Sequence, residues 1–75
     1  MNLLEVKNNT ICVVKCVNIA HEQTKLRILE LGLVSGVHVV VKAKSIFKHT
    51  LLIAFANSCF TLKDNLAKQI EVEYA

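Results

Sequence analysis

The chain has only two glycines and no proline, and both glycines fall in one short stretch, Lys25-Leu-Arg-Ile-Leu-Glu-Leu-Gly-Leu-Val-Ser-Gly36. This is the sharpest backbone instruction in the sequence. Leu26, Ile28, Leu29 and Leu31 are spaced as a helix that buries one broad face. Gly32 then stands where a helix ends on a left-handed residue, a conformation that glycine takes at little cost. Leu33 follows at the position whose side chain folds back onto the last turn, here onto Ile28. Val34-Ser35-Gly36 is a second reversal, and from Val37 the apolar period changes from helical to two. Gly32 and Gly36 are therefore structural turn residues, and a helix near residues 22–31 must give way to a strand.

The rest of the chain is mostly strand. Thr10–Val17 is β-branched and thiol-rich, with Cys12, Val14 and Cys16 on the expected core side. Val37–Ser45 alternates, with Val37, Val39, Val41 and Ala43 facing in. Thr50–Ala56 follows a hairpin loop at Ser45–Thr50, and Leu51, Ile53 and Phe55 face in. Asn57-Ser58 reads as a two-residue turn, Cys59–Leu62 as a short fourth strand with Phe60 and Leu62 inside, and Gln69–Tyr74 as a fifth. Lys63–Lys68, with Leu66 and Ala67 inside, reads as one turn of 3₁₀ helix. Leu3 and Leu4 form an N-terminal clip. Asn18 and Thr24 compete to cap the helix. Glu30 is badly placed against the helix dipole and invites a neighbouring lysine as partner.

Five short strands and one small helix cannot bury their faces as a flat sheet. Curling the sheet on itself hides the edges and makes one core. The expected architecture is mainly β: a single domain over residues 1–75, built as a small, partly open β-barrel of about five strands with one short α-helix between strands 1 and 2. A chain of 75 residues buries only roughly 60 % of its unfolded surface. With 53 % apolar residues, some apolar surface must stay outside, which favours a docking face. Leu33-Val34 and Ile46-Phe47 fall in loops and are the candidate partner-binding residues.

Other function classes fare worse. There is no run of about 18 apolar residues to span a membrane. The start Met-Asn-Leu-Leu-Glu-Val-Lys is not a signal peptide, so a cytoplasmic location is expected. The net charge of +3 is mild and aromatic rings are few. Nucleic-acid binding is not expected, because single-strand readers interleave rings with cations. No nucleophile–base order and no phosphate-cradling loop is visible, so the chain is not read as an enzyme. Cys12 and Cys16 on a straight strand would stand about 13 Å apart. One zinc holds each thiolate at about 2.3 Å and cannot reach both. Cys59 could approach only one of them. His21, His38 and His49 are the weak metal candidates, with Glu22 beside His21. They show no chelating spacing.

The order of elements carries a resemblance. A helix ending in Leu26-Arg27-Ile28-Leu29-Glu30-Leu31-Gly32-Leu33, then Gly36, a valine-rich strand and a hairpin resemble the FeoA family. So do Phe60-Thr61-Leu62-Lys63-Asp64-Asn65-Leu66-Ala67 and the final Ile70-Glu71-Val72. The likeness spans residues 3–73. Two positions depart from the family: Ser35 precedes Gly36 where Pro-Gly is usual, and Ile46-Phe47-Lys48-His49-Thr50 replaces a Pro-Leu-Gly-Asp-Pro-like loop. The resemblance implies an SH3-like barrel. It also implies a small cytoplasmic accessory protein of bacterial ferrous iron uptake. Such a protein would bind and modulate the cytoplasmic part of a FeoB-like transporter with a GTP-binding domain, and touch the membrane only through it. No cofactor would be required. The family's alternative reading is a domain that binds Fe2+ or another divalent transition metal, or a metal-responsive domain like the C-terminal domain of DtxR-type regulators.

Overall fold

A computed structural model describes all residues, 1–75, and the chain turns where its glycines stand. Helix α1 (Glu22–Glu30) is capped by Leu31, and Gly32 follows at φ +103°. The N–H of Gly32 donates to the Leu29 carbonyl (3.0 Å) and that of Leu33 to the Ile28 carbonyl (3.3 Å). This pair is a Schellman stop and occupies carbonyls that the helix end would leave without partners. Ile28 and Leu33 are both buried. Gly36, at φ +94°, donates its N–H to the Val14 carbonyl (2.8 Å), which fixes the second turn on the first strand.

The strands are β1 (Ile11–Val17), β2 (His38–Ser45), β3 (Thr50–Phe55), β4 (Ser58–Lys63) and β5 (Ile70–Tyr74). All pair antiparallel, in the order β4-β3-β2-β1-β5. A single α-helical turn, α2 (Asp64–Ala67), joins the two edge strands, where a 3₁₀ turn was expected. The sheet is thus a partly open barrel around one apolar cluster, in which Leu3, Val14, Val41, Leu51, Ile53 and Ile70 are fully or almost fully buried. The clip also forms. Asn2 and Glu5 make a capping box around the 3₁₀ turn Leu3–Glu5, with Leu3 buried and Leu4 packed on the core. The Val72 N–H donates to the Met1 carbonyl (2.8 Å), so the N-terminal residues cover part of the β5 edge. The Glu71 carboxylate accepts a hydrogen bond from the N-terminal ammonium and raises its pKa above the ordinary 8.0.

Two β-bulges change the expected faces. In β1, Val14 pairs with Val72 and Cys16 with Glu71, so Lys15 is an extra residue. One extra residue reverses the alternation beyond it. Cys16 is therefore exposed and Val17 buried. In β2, Val41 pairs with Ile53 and Ala43 with Leu52, and Lys42 is the extra residue. Ala43, expected inside, is exposed. Lys44 instead lies opposite the buried Leu51, and its Nζ donates to the Val6 carbonyl (2.7 Å).

Other local expectations are corrected. The N-cap is His21, whose Nδ1 accepts from the Thr24 N–H (3.3 Å), rather than Asn18 or Thr24. The tight turn is Ala56-Asn57, with φ +52° and +62°, one residue before the expected position. Glu30 is exposed and belongs to neither of the two ion pairs, Met1 N-terminus–Glu71 and Lys15–Glu73. Helix α1 buries only Ile28 fully, with Leu29 packed against the core. Leu26 and Leu31, expected in a broad buried face, are exposed.

Candidate functional site

A short amphipathic helix needs only one or two side chains in the core of so small a body, and its other apolar residues then face out. That is the origin of the first surface. Leu26 of α1, Leu31 at its C-cap and Val34 from the turn after Gly32 are all exposed. Leu26 also lines an open groove of about 270 Å³ with Glu22, Lys25 and Leu29, a side of the helix that Leu31, five residues further on, does not share. Sequence periodicity assigned Leu26 and Leu31 to the core and so missed them as surface. Leu33, expected to dock a partner with Val34, is only 1 % exposed. The Schellman stop folds it inward, so it is a core residue and offers nothing to a partner.

The second surface is the β2–β3 loop. Its turn is held by the Lys48 N–H donating to Ser45 Oγ (3.3 Å) and by His49 at φ +53°. Nothing packs over the tip: Ile46 is 82 % and Phe47 97 % exposed. Val34 precedes β2 and Ile46 follows it, so β2, eight residues long, separates the two surfaces. At about 3.3 Å per residue that is a distance on the order of 25 Å. Of the four candidate partner-binding residues, Leu33 is therefore in the core, and Val34 lies on a different surface from Ile46 and Phe47.

The metal candidates are scattered. His21 caps α1, with its Nδ1 lone pair engaged by Thr24. His38 begins β2 opposite Val13, whereas His49 sits in the loop beyond the far end of that strand. Cys12 is buried, its Sγ donating to the Val39 carbonyl (3.4 Å), and burial pushes its thiol pKa up. Cys16 and Cys59 are exposed, and Cys16 Sγ donates to Asn18 Oδ1 (2.9 Å). No three His, Cys, Asp or Glu side chains converge. The residues present do not make the three- or four-donor set that structural and catalytic transition-metal sites use. No helix is long and apolar enough to cross a membrane.

Comparison with known proteins places the chain. The family model described as the FeoA domain matches residues 1–74. FeoA from Stenotrophomonas maltophilia, solved as a complex with zinc, is 32 % identical at a TM-score of 0.85. The match covers 97 % of this chain and 89 % of that one. That protein is described as a prokaryotic SH3 domain protein and a candidate activating factor of bacterial ferrous iron transport. The FeoA protein of Chlorobium tepidum is 24 % identical (TM-score 0.89), with 99 % of this chain and 70 % of that one covered. Iron(II) transport protein A from Clostridium thermocellum is 20 % identical (TM-score 0.87). This whole chain spans 46 % of that one. A manganese-dependent transcriptional repressor shares the fold over 36 % of its own length, at 17 % identity and a TM-score of 0.91. No curated protein matches. The sheet order, the one-turn helix between the edge strands and these likenesses agree on an SH3-like barrel, and the chain belongs to the FeoA family.

Proposed function

We propose that this protein is an accessory factor of bacterial ferrous iron uptake that acts at the inner face of the membrane. It docks on the cytoplasmic part of a transporter that carries a GTP-binding domain and tunes its activity or assembly. Family membership supports the iron-uptake setting. The observation that carries the docking reading is that three apolar side chains stand exposed around α1 and the turn after it: Leu31 and Val34 at the helix end, and Leu26 on an open groove. Apolar side chains left outside on so small a domain suit a protein–protein contact. A groove of about 270 Å³ has room for one large apolar side chain of the partner.

The test is co-purification of the transporter from detergent-solubilised membranes with the tagged chain. Leu31→Asp and Val34→Asp change exposed positions and should fold as the parent does. Each is expected to lower recovery of the transporter about tenfold, which corresponds to about 1.4 kcal/mol. Full recovery with folded variants would remove this face from the account.

A further inference from the structure

The hairpin tip carries a second kind of information, which is where the charge sits. The tip and the strands beneath it bear Lys42, Lys44, Lys48 and Lys63, with Asp64 the one carboxylate among them. Lys63 is the partner of Thr50 across β3–β4, and the Asp64 N–H donates to the His49 carbonyl (2.9 Å), so these residues share one end of the barrel. The remaining cations, Lys7, Lys15, Lys25, Arg27 and Lys68, are matched in number by Glu5, Glu22, Glu30, Glu71 and Glu73. The net charge of +3 is therefore that of the hairpin and the strands beneath it. Beneath the tip is a hollow of about 310 Å³ lined by Lys44, Lys48, Ser45, Thr50 and Thr61, among others, and by no carboxylate. Ammonium and hydroxyl donors are the groups that suit phosphate oxygens.

An apolar pair with no cover, projecting from a cationic collar, matches an anionic lipid surface in both layers. Aromatic and aliphatic side chains enter the boundary of headgroup and acyl chain, while lysines stay at the charged headgroups. We infer that Ile46 and Phe47 insert into an anionic membrane surface and that Lys42, Lys48 and Lys63 hold its phosphate headgroups, while Lys44 stays on the Val6 carbonyl. This goes beyond membrane contact through the transporter alone. It also fits the geometry of a domain that offers the opposite end, with Leu31 and Val34, to a membrane protein's cytoplasmic part. The contact is reversible, because one apolar pair and three lysines fall far short of a membrane anchor.

The test uses the purified full chain and sedimentation with vesicles. Vesicles of phosphatidylcholine and phosphatidylglycerol, two to one, are compared with phosphatidylcholine alone. The parent chain should bind the mixed vesicles, bind the neutral ones at least tenfold less, and lose binding as salt is raised. Each lysine near an anionic surface is worth about fivefold in affinity, so Lys48→Glu should weaken binding by at least that factor. Phe47→Asp should abolish it, whereas Leu31→Asp should leave it unchanged. Phe47→Trp should bind and show a blue-shifted emission with the mixed vesicles only. The tip variants change a side chain that touches nothing, so an unchanged melting curve confirms their fold.

Failure of the parent chain to bind mixed vesicles at low salt overturns the inference, as does a Phe47→Asp variant that still binds. If Phe47→Asp instead loses the transporter's soluble cytoplasmic part in the absence of lipid, the tip is a protein contact and the inference is likewise wrong. None of these results touches the docking of Leu31 and Val34, which is read in detergent without vesicles.

Discussion

Gly32 lies against the edge of the Phe55 ring: a Cβ built on the glycine would stand 3.6 Å from Phe55 Cε2, an ordinary van der Waals contact. Space is therefore not what excludes a side chain there. The φ of +103° is, because a Cβ in that region meets the neighbouring backbone. Gly32→Ala should cost about 1–2 kcal/mol, read as a lower urea midpoint with an unchanged slope. Gly36→Ala, at φ +94° with nothing within 4 Å, should cost a similar amount. Parent-like stability in Gly32→Ala would mean that the helix stop does not depend on the left-handed residue.

Ala56 and Asn57 form the β3–β4 turn with both φ values positive, the backbone of a type I′ hairpin. Asparagine adopts that conformation at less cost than alanine. Ala56→Asn should raise stability by about 1 kcal/mol, seen as a higher thermal midpoint. A loss of stability would show that the turn is not of this type in solution.

The three cysteines should differ sharply towards a thiol reagent. Cys16 and Cys59 are exposed and should react at once, while buried Cys12 reacts only on unfolding. Burial raises the Cys12 pKa above its ordinary 9.0. The sign follows from linkage: folding prefers the neutral thiol, so its contribution is complete below the unfolded value and is lost as pH rises through the folded one. Stability should therefore fall at alkaline pH, and Cys12→Ala should flatten that fall. Three equally fast thiols in the native protein would contradict the placement of Cys12.

The residues that were legible in the sequence are those governed by local backbone rules. Gly32 had to turn left-handed, and the alternation of Leu51, Ile53 and Phe55 or of Ile70 and Val72 survives because those strands are regular. The faces of Cys16 and Ala43 were not legible. Each follows a bulge at a lysine, and a bulge is selected by sheet curvature rather than by its own residue. Asn18 is not the cap because its N–H donates to the Gln69 carbonyl and its Oδ1 accepts from Cys16 Sγ, and Thr24 lies inside α1 with its N–H on His21 Nδ1. Leu26 and Leu31 have the spacing of core residues. Periodicity marks an apolar helix face without saying whether the protein itself or a partner covers it. The tip was legible, since Ile46 and Phe47 occupy positions where turns are polar.

Transporter docking is tested most directly by titrating the chain into the isolated cytoplasmic GTP-binding part of the organism's ferrous iron transporter, by calorimetry without lipid. The account predicts saturable binding that Leu31→Asp or Val34→Asp weakens about tenfold and Phe47→Asp leaves unchanged. No heat of binding, or equal affinity for the folded Leu31→Asp and Val34→Asp chains, would contradict it.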